Sequence, residues 1–427
     1  MSPEALGSPR PPRRRIRFCI VTTAQICRNP RVVKEADALA AAGHDVRVVA
    51  YDRDETARRL DVAMMQGRQW RLDSVAIHNR TLGRTVGWVW SGVRQRAARA
   101  LADRGVRAVP IRDVALSKHL WRMAARVAAE PADVVVAHHA PALPSAWRAA
   151  HELGARLAFD FEDLHVANVA SAPRDVAEGR LIAAIDRAYL PRCHALLASS
   201  SAIADEVVRR YGVSRPTVVL NTFPLSAPTA RATSRDRVGQ HPSFYWFSQV
   251  VGPNRGLEEA VVALARAAVP AELHLRGARY GDFAEHLHRL AREHGMVGTL
   301  HIHGSAPPEE LPALAGQHDV GLALEQNWSL NARLALSNKL LTYLVCGNAI
   351  LATDTPGQRE ALDEAPGAGR VYRAGDVDAL ASHMRTLATD PEALEAARRA
   401  ARAAAVRRFS WEHDAPVLVS ALEAVVP

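Results

Sequence analysis

Lysine is nearly absent from this chain. Of 54 Lys and Arg residues, only Lys34, Lys118 and Lys339 are lysines. Cysteine is as sparse. Cys19, Cys27, Cys193 and Cys346 lie far apart with no Cys-x-x-Cys pair, which excludes a disulfide framework and a thiolate zinc site and fits a reducing compartment. Aromatics supply 5% of residues, so packing must rest on Ala, Leu and Val. No apolar run reaches ~18 residues, which excludes a spanning helix. The first fifteen residues, with Pro9, Pro11, Pro12 and Arg13 to Arg15, lack the apolar stretch of a secretory signal and read as a disordered basic leader. Also missing are a Gly-x-Gly-x-x-Gly turn after the first strand, a P-loop and a Gly-x-Ser-x-Gly elbow. Dinucleotide oxidoreduction, ATP hydrolysis and serine hydrolysis thereby lose their main support.

What is present is length and alternation. With 427 residues, 48% of them apolar, the chain can bury two cores. Apolar strands are expected at 17–22, 45–51, 133–138, 156–161, 194–199 and 217–220, with helices between them. A second alternating run places strands at 244–247, 272–276, 299–303, 320–324, 348–352 and 369–372. This pattern predicts an α/β protein of two Rossmann-like, doubly wound parallel-sheet domains facing across a cleft. The expected boundaries are 16–223 for the first domain, 224–243 for a linker and 244–408 for the second domain. A last helix over 409–427 would pack back on the first domain.

Ligands in such sheets bind beyond the carboxyl ends of the strands. There the sequence offers Ser337-Asn338-Lys339, opening an apolar helix that Gly347 closes. A helix first turn leaves backbone N–H groups unpaired, and a compact ammonium beside them suits a phosphate. The loop from Phe247 to Gly256 carries Arg255 to another helix start, so two cations converge on one anion. His138 ends an apolar strand and is placed to bind or polarise a sugar hydroxyl. Glu162 and Asp163 follow the next strand as general base, hydroxyl binders or a helix cap. Asp52-Arg53-Asp54 reads as a surface loop. His301-x-His303 lacks carboxylates nearby in sequence, so no metal ligands are assigned.

Between Arg84 and Arg122 stand nine Arg or Lys residues against Asp103 and Asp113, with Trp88, Trp90 and Trp121 among them. Basic charge interleaved with Trp suits an anionic membrane surface or a lipid-linked acceptor. Nucleic acid is the competing partner and is not favoured; a solvated arginine-rich helix pair is the plain alternative.

Taken in order, these motifs carry a resemblance: Asn29-Pro-Arg31 with Gly43-His44-Asp45, Asp133 to His138, Leu197-Ala-Ser-Ser200, the Phe247 to Gly256 loop, Ser337-Asn-Lys339 and Ala352 to Gly357. Over roughly residues 16 to 425 the chain resembles a family-four, group 1 retaining glycosyltransferase with the two-domain GT-B fold. The resemblance implies a nucleotide diphosphate sugar as donor substrate, no cofactor and no metal in the catalytic centre. The expected partner on the other side is an acceptor glycan or lipid-linked glycan, in cell-surface polysaccharide or glycoconjugate synthesis. The sparse cysteines point to a cytoplasmic location, and the basic, Trp-bearing segment to the inner face of the membrane. By this match Arg255 takes a diphosphate-binding role and His138 contacts the donor sugar, with Gly277 on the same cleft edge. The pattern also departs from the family. Gln249 stands where the family has an arginine, and its two glutamates fall at Leu334 and Thr342. Thr342 can offer one hydrogen bond to a ribose hydroxyl, and Asn338 lies one turn earlier on the same face. Two other readings stand beside glycosyl transfer. One is a sugar-nucleotide epimerase on the same fold, for which Asp160 or Glu162 would supply carboxylates beside His138. The other is a catalytically silent sugar-nucleotide-binding subunit, which Gln249 and Thr342 make plausible.

Overall fold

A computed structural model describes residues 14–77, 82–106, 108–167, 173–226, 241–296, 298–326 and 329–427. Most of the expected leader and linker lie outside them. In chain order the first half contains β1 (Arg17–Thr22), α1 (Pro30–Ala41), β2 (Asp45–Asp52), α2 (Glu55–Met64) and β3 (Arg71–Ala76). Next come α3 (Leu82–Asp103), α4 (Val109–Leu116), α5 (Leu120–Ala128), β4 (Val134–His138), α6 (Leu143–Leu153) and β5 (Arg156–Phe161). This half closes with α7 (Pro173–Tyr189), β6 (Ala195–Ala198), α8 (Ser201–Tyr211) and β7 (Thr217–Val218).

The second half opens with β8 (Ser243–Val251), α9 (Leu257–Ala267), β9 (Glu272–Arg279), α10 (Phe283–Glu293), β10 (Leu300–His303) and α11 (Leu311–Ala315). Then follow β11 (Val320–Ala323), α12 (Leu330–Leu334), α13 (Asn338–Cys346), β12 (Ala349–Thr353), α14 (Pro356–Asp363) and β13 (Gly369–Tyr372). Three helices end the chain: α15 (Val377–Thr389), α16 (Pro391–Arg407) and α17 (Trp411–Glu423).

The strands form two sheets, ordered β3-β2-β1-β4-β5-β6-β7 and β10-β9-β8-β11-β12-β13. Every pairing in both is parallel. Strands covered on both faces must be apolar throughout, and Val134 to Ala137 and Ala349 to Thr353 are buried along their whole length. In each sheet the strand order reverses once, between β1 and β4 and between β8 and β11. Crevices for ligands open at such reversals.

The edge of the first sheet departs from expectation. Asp52 belongs to β2, and Asp54 caps α2 by accepting from the Ala57 amide at 2.8 Å. The presumed Asp52-Arg53-Asp54 surface loop is therefore a strand end and a helix cap. β3 alternates buried and open residues, the mark of an edge strand, and carries too little apolar character to announce itself.

The last helix leaves the second sheet. Leu418, Val419 and Leu422 of α17 join Val32, Val33, Ala36 and Leu39 of α1 in the core of the first sheet. His44 holds this helix through Glu423, Nε2 to Oε1 at 2.9 Å. Chain therefore crosses between the sheets twice, and the crossings are bonded to each other. The Trp411 amide donates to the Phe223 carbonyl at 3.0 Å, the Leu225 amide donates to the Glu412 carboxylate, and Thr222 donates to Asp414 at 2.6 Å.

Candidate active site

At the carboxyl ends of the strands lies a cavity of about 570 Å³ whose walls come from both sheets. Glu162, Asp163, Ser199 and Asn221 form one wall; Trp246, Pro253 to Arg255, Leu324 and Glu325 form the other, with the segment Asn331 to Lys339 across the mouth.

The second wall is built around α13. Tyr343 lies flat on Gly321, where an added Cβ would sit 2.2 Å from its ring. Its hydroxyl donates to the Tyr245 carbonyl at 3.0 Å. That clamp fixes the helix over the β8–β11 reversal, with its N-terminus toward the cavity. Ser337 occupies the N-cap position without capping the helix by its side chain, and instead donates its hydroxyl to Glu325 at 2.7 Å. The first-turn amides are thus left uncapped by that residue, an anion seat by geometry and dipole. Lys339 places Nζ 2.6 Å from Glu325 Oε1 and 5.6 Å from the centre of the Trp246 ring. Burial alone would push the Glu325 carboxyl up. The Lys339 charge, with hydrogen bonds from Lys339 and Ser337, outweighs it and holds the carboxyl below its ordinary value. Arg255 enters on a tight loop after β8 and donates to the Ser248 hydroxyl at 3.0 Å. Gly256 lets that loop close: at φ +72 it is left-handed, and a Cβ would stand 2.7 Å from Gln326 and 2.9 Å from Leu324.

The first wall rests on a fully buried charge network. Asn29 caps α1, Pro30 starts it, and Arg31 turns inward. Its guanidinium donates to Asp160 at 2.7 and 3.1 Å and to the Val219 carbonyl at 2.9 Å. Glu35, one turn on, lies 3.6 Å from Arg31 and 2.7 Å from His138 Nε2. Burial raises the Glu35 carboxyl. At His138 burial is the largest single influence and lowers it, but the Glu35 charge and hydrogen bond, together with the Asp160 and Glu162 charges, outweigh it and raise the imidazole. The pair thus holds a proton between them. Above this network Glu162 faces the cavity, pushed up to about 7 by burial and by Asp163. Lys34, lowered to about 7 by burial and by Arg31, bonds Asn221 and the Thr222 carbonyl and sits 5.1 Å from both the Phe223 and Trp411 rings.

Six expected site residues therefore line one cavity: Glu162, Asp163, Arg255, Ser337, Asn338 and Lys339. Four do not. His138 is completely buried and held by Glu35. Its neighbour His139, at φ 68, is the imidazole near Glu162, 3.9 Å away. Gln249 stands exposed where the β8–β9 register shifts. Gly277 lies opposite that bulge, and a Cβ there would meet the Ser248 carbonyl at 2.8 Å, so the glycine serves packing. Thr342 is completely buried and donates its hydroxyl to the Asn338 carbonyl at 2.8 Å, turned along its own helix.

Thr342→Glu should therefore cost ~2–5 kcal/mol of stability, the penalty of sealing an unpartnered carboxylate. A thermal melt is expected to show a clear drop with no tighter nucleotide binding. An unchanged midpoint together with tighter binding would return residue 342 to the donor site.

Among the cavity residues not assigned from the sequence are Glu325 and Asn331. Glu325 lies two residues past β11, just beyond the strand end where a parallel sheet presents side chains, and that position was its signal. Asn331 sits on a five-residue helix too short to announce itself. It reaches across the cleft, accepting from the Leu164 amide at 2.7 Å and donating to Asp163 at 3.0 Å. Ser200 closes a second bridge to the Leu334 carbonyl at 2.9 Å. Leu334 itself, at one family glutamate position, packs against the first-sheet core.

Comparison with known proteins agrees with this architecture. Residues 29–222 match a glycosyl transferase 4-like domain, and residues 256–420 match a glycosyl transferase-like family. A phosphatidyl-myo-inositol mannosyltransferase of Propionibacterium freudenreichii is 27% identical over 54% of this chain and 56% of its own length. The chain thus spans little more than half of that relative. A D-inositol 3-phosphate glycosyltransferase of Xylanimonas cellulosilytica is 28% identical over 67% of this chain and 70% of its own. Among solved structures, Alr3699/HepE of Anabaena in complex with UDP and glucose superposes with a TM-score of 0.67 at 14% identity, covering 96% of this chain and all of that one. Sucrose-phosphate synthase from Thermosynechococcus elongatus gives 0.68 at 15% identity over 94% and 97%.

Proposed function

The chain belongs to the family-four, group 1 glycosyltransferases with the two-domain GT-B fold, and on that premise we propose that it transfers a hexosyl group, with retention, from a nucleotide diphosphate sugar to an acceptor hydroxyl. One observation carries this reading. Lys339, Arg255 and the uncapped start of α13 converge on one cavity at the reversal of the second sheet. Loss of the donor's diphosphate leaves an oxocarbenium-like carbon and a new anionic oxygen. Fixed cations and amides aimed at that oxygen are worth ~3–4 kcal/mol per well-placed donor. The acceptor oxygen then bonds to the anomeric carbon, and its proton passes to the departing phosphate. Glu162, whose carboxyl straddles neutrality, is placed to bind the incoming hydroxyl.

A panel of nucleotide sugars with product analysis tests this, and UDP-hexoses come first because a structural neighbour holds UDP and glucose. Release of nucleoside diphosphate with sugar transfer or hydrolysis supports the reading, and the anomeric configuration of the product tests retention. Epimerised donor, or binding without turnover, would overturn it.

The acceptor side points to a membrane surface. Among the described residues no helix is long and apolar enough to cross a membrane. Yet Trp90 is 62% exposed and Trp121 47%, with Val89 and Val93 also open. Lys118 packs beside Gly92, which makes the stretches around Trp90 and Trp121 neighbours. The side chains of Arg84, Trp88 and Arg107 lie outside the described residues. Exposed Trp and Val amid arginine suit docking on an anionic leaflet at the inner face of the membrane, where a lipid-linked acceptor would be met. One relative carries phosphatidyl-myo-inositol in its name. Vesicles with anionic lipid should retain the protein at low salt and release it as the Debye length shortens to ~8 Å at ~0.15 M. Equal retention by neutral vesicles, or none by either, would count against the surface.

A further inference from the structure

Away from the cleft, imidazoles and a carboxylate gather on one face of the second sheet. β9 and β10 pair with His274 opposite His301. Side chains two apart on a strand share a face, so Glu272 and His274 meet His301 and His303. The His274 and His301 rings stack 4.6 Å apart, and His318, just ahead of β11, places its ring 4.6 Å from His274. Glu272, His274 and His301 each bring one ligating atom to within 4.8 Å of the others. His274 Nε2 lies 3.0 Å from Glu272 Oε2, and its Nδ1 lies 3.1 Å from His303 Nε2. His301 Nε2 and His318 Nδ1 are buried without a hydrogen-bond partner. Ring stacking accounts for the pile of imidazoles but leaves those two nitrogens unexplained.

We propose that Glu272, His274 and His301 bind a divalent transition-metal ion of the zinc class, with His303 orienting His274 from behind. Imidazole and carboxylate together suit zinc, nickel or copper better than magnesium or calcium. On tetrahedral zinc, donor atoms ~2.0–2.1 Å from the metal stand roughly 3.3 Å from each other. The Glu272–His274 separation is close to that already, and a side-chain rotation brings His301 in. A proton on His274 Nδ1, given to His303, leaves the Nε2 lone pair free, the arrangement an outer partner enforces on a ligating histidine.

A second triad among the described residues, Glu35, His138 and Asp160, has the same composition. It already encloses a cation, the Arg31 guanidinium, within 3.6 Å of Glu35 and 2.7 Å of Asp160. In the second-sheet cluster the nearby cation is Arg276, which pairs with His303 in register and donates to the Tyr245 hydroxyl and the Gly304 carbonyl. The Glu272 end is left to the ion. Since β10 is the edge strand of its sheet, the ion would cross-link that edge to β9.

The whole protein, stripped with chelator and dialysed, is titrated with zinc chloride alone, and retained metal is measured after desalting. Wild-type protein should hold stoichiometric zinc, with a rise in thermal midpoint. His301→Ala and Glu272→Gln, both at partly exposed positions, should bind at least ~10-fold more weakly and lose that rise. Circular dichroism checks their folding, and sugar transfer measured with chelator present should match wild type in both. No stoichiometric zinc in the wild type, or wild-type affinity in both folded variants, would overturn the site. Loss of transfer in chelator would overturn its independence from the donor cleft.

Discussion

Lys339→Ala is expected to lower kcat/KM by ~10²-fold or more, the loss seen when one donor to a developing anion is removed from a pre-organised site. Two effects add. The ammonium no longer meets the leaving diphosphate, and Glu325, which Lys339 holds at 2.6 Å, is left without its cation, bonded only by the Ser337 hydroxyl, beside the same phosphate. The second effect can be separated from the first. Glu325→Gln in the Lys339→Ala background removes the repulsion and should restore part of the loss, whereas Glu325→Gln alone frees Lys339 and should weaken donor binding less. Arg255→Ala should fall in the same direction by a smaller factor, since its guanidinium is anchored on Ser248 at the rim. Steady-state kinetics with the best donor of the panel, and nucleoside diphosphate binding by calorimetry, give both numbers. Near-normal turnover in Lys339→Ala would remove the phosphate role of α13.

Arg31→Met should destabilise the protein by ~3–5 kcal/mol, because it strands Asp160 as a buried charge without its partner. Arg31 and Asp160 are both completely sealed from solvent, so no water can replace the lost hydrogen bonds. For a unit of this size that is a drop in thermal midpoint of roughly 10 °C. Arg31→Met combined with Asp160→Leu should cost much less than the sum of the single changes, since an apolar replacement of the whole pair removes the stranded charge as well. Additive losses would mean that the two side chains are not coupled.

Much of this molecule is written locally. Strands such as Val134 to Ala137 are unbroken apolar runs because helices cover both their faces, and α13 ends at Gly347 with φ 72. Alternation and strand ends were enough to bring Lys339, Arg255, Glu162 and Asp163 to one place. What escaped depends on contacts that no local pattern encodes. His138 reads as a strand-end ligand until Glu35, from α1, arrives and seals it. Thr342 shares the helix of Lys339, but the clamp of Tyr343 on Gly321 decides which face of that helix meets the sheet. Glu272 is remote from His301 in sequence, and only the parallel register of β9 and β10 makes them neighbours.

The double passage of chain between the two sheets has a mechanical consequence. A single tether would let the halves swivel and twist in any direction. Two adjacent tethers, fastened to each other at Phe223 and Trp411 and at Thr222 and Asp414, act as a pinned axle. Rotation about that line is the soft motion, and sliding or shearing across it must first break buried hydrogen bonds. The bridges from Asn331 and Ser200 cross between the halves outside those tethers, the Ser200 one close to Arg408 and Phe409. Opening about that line must first break them, so they act as latches on the closed jaws.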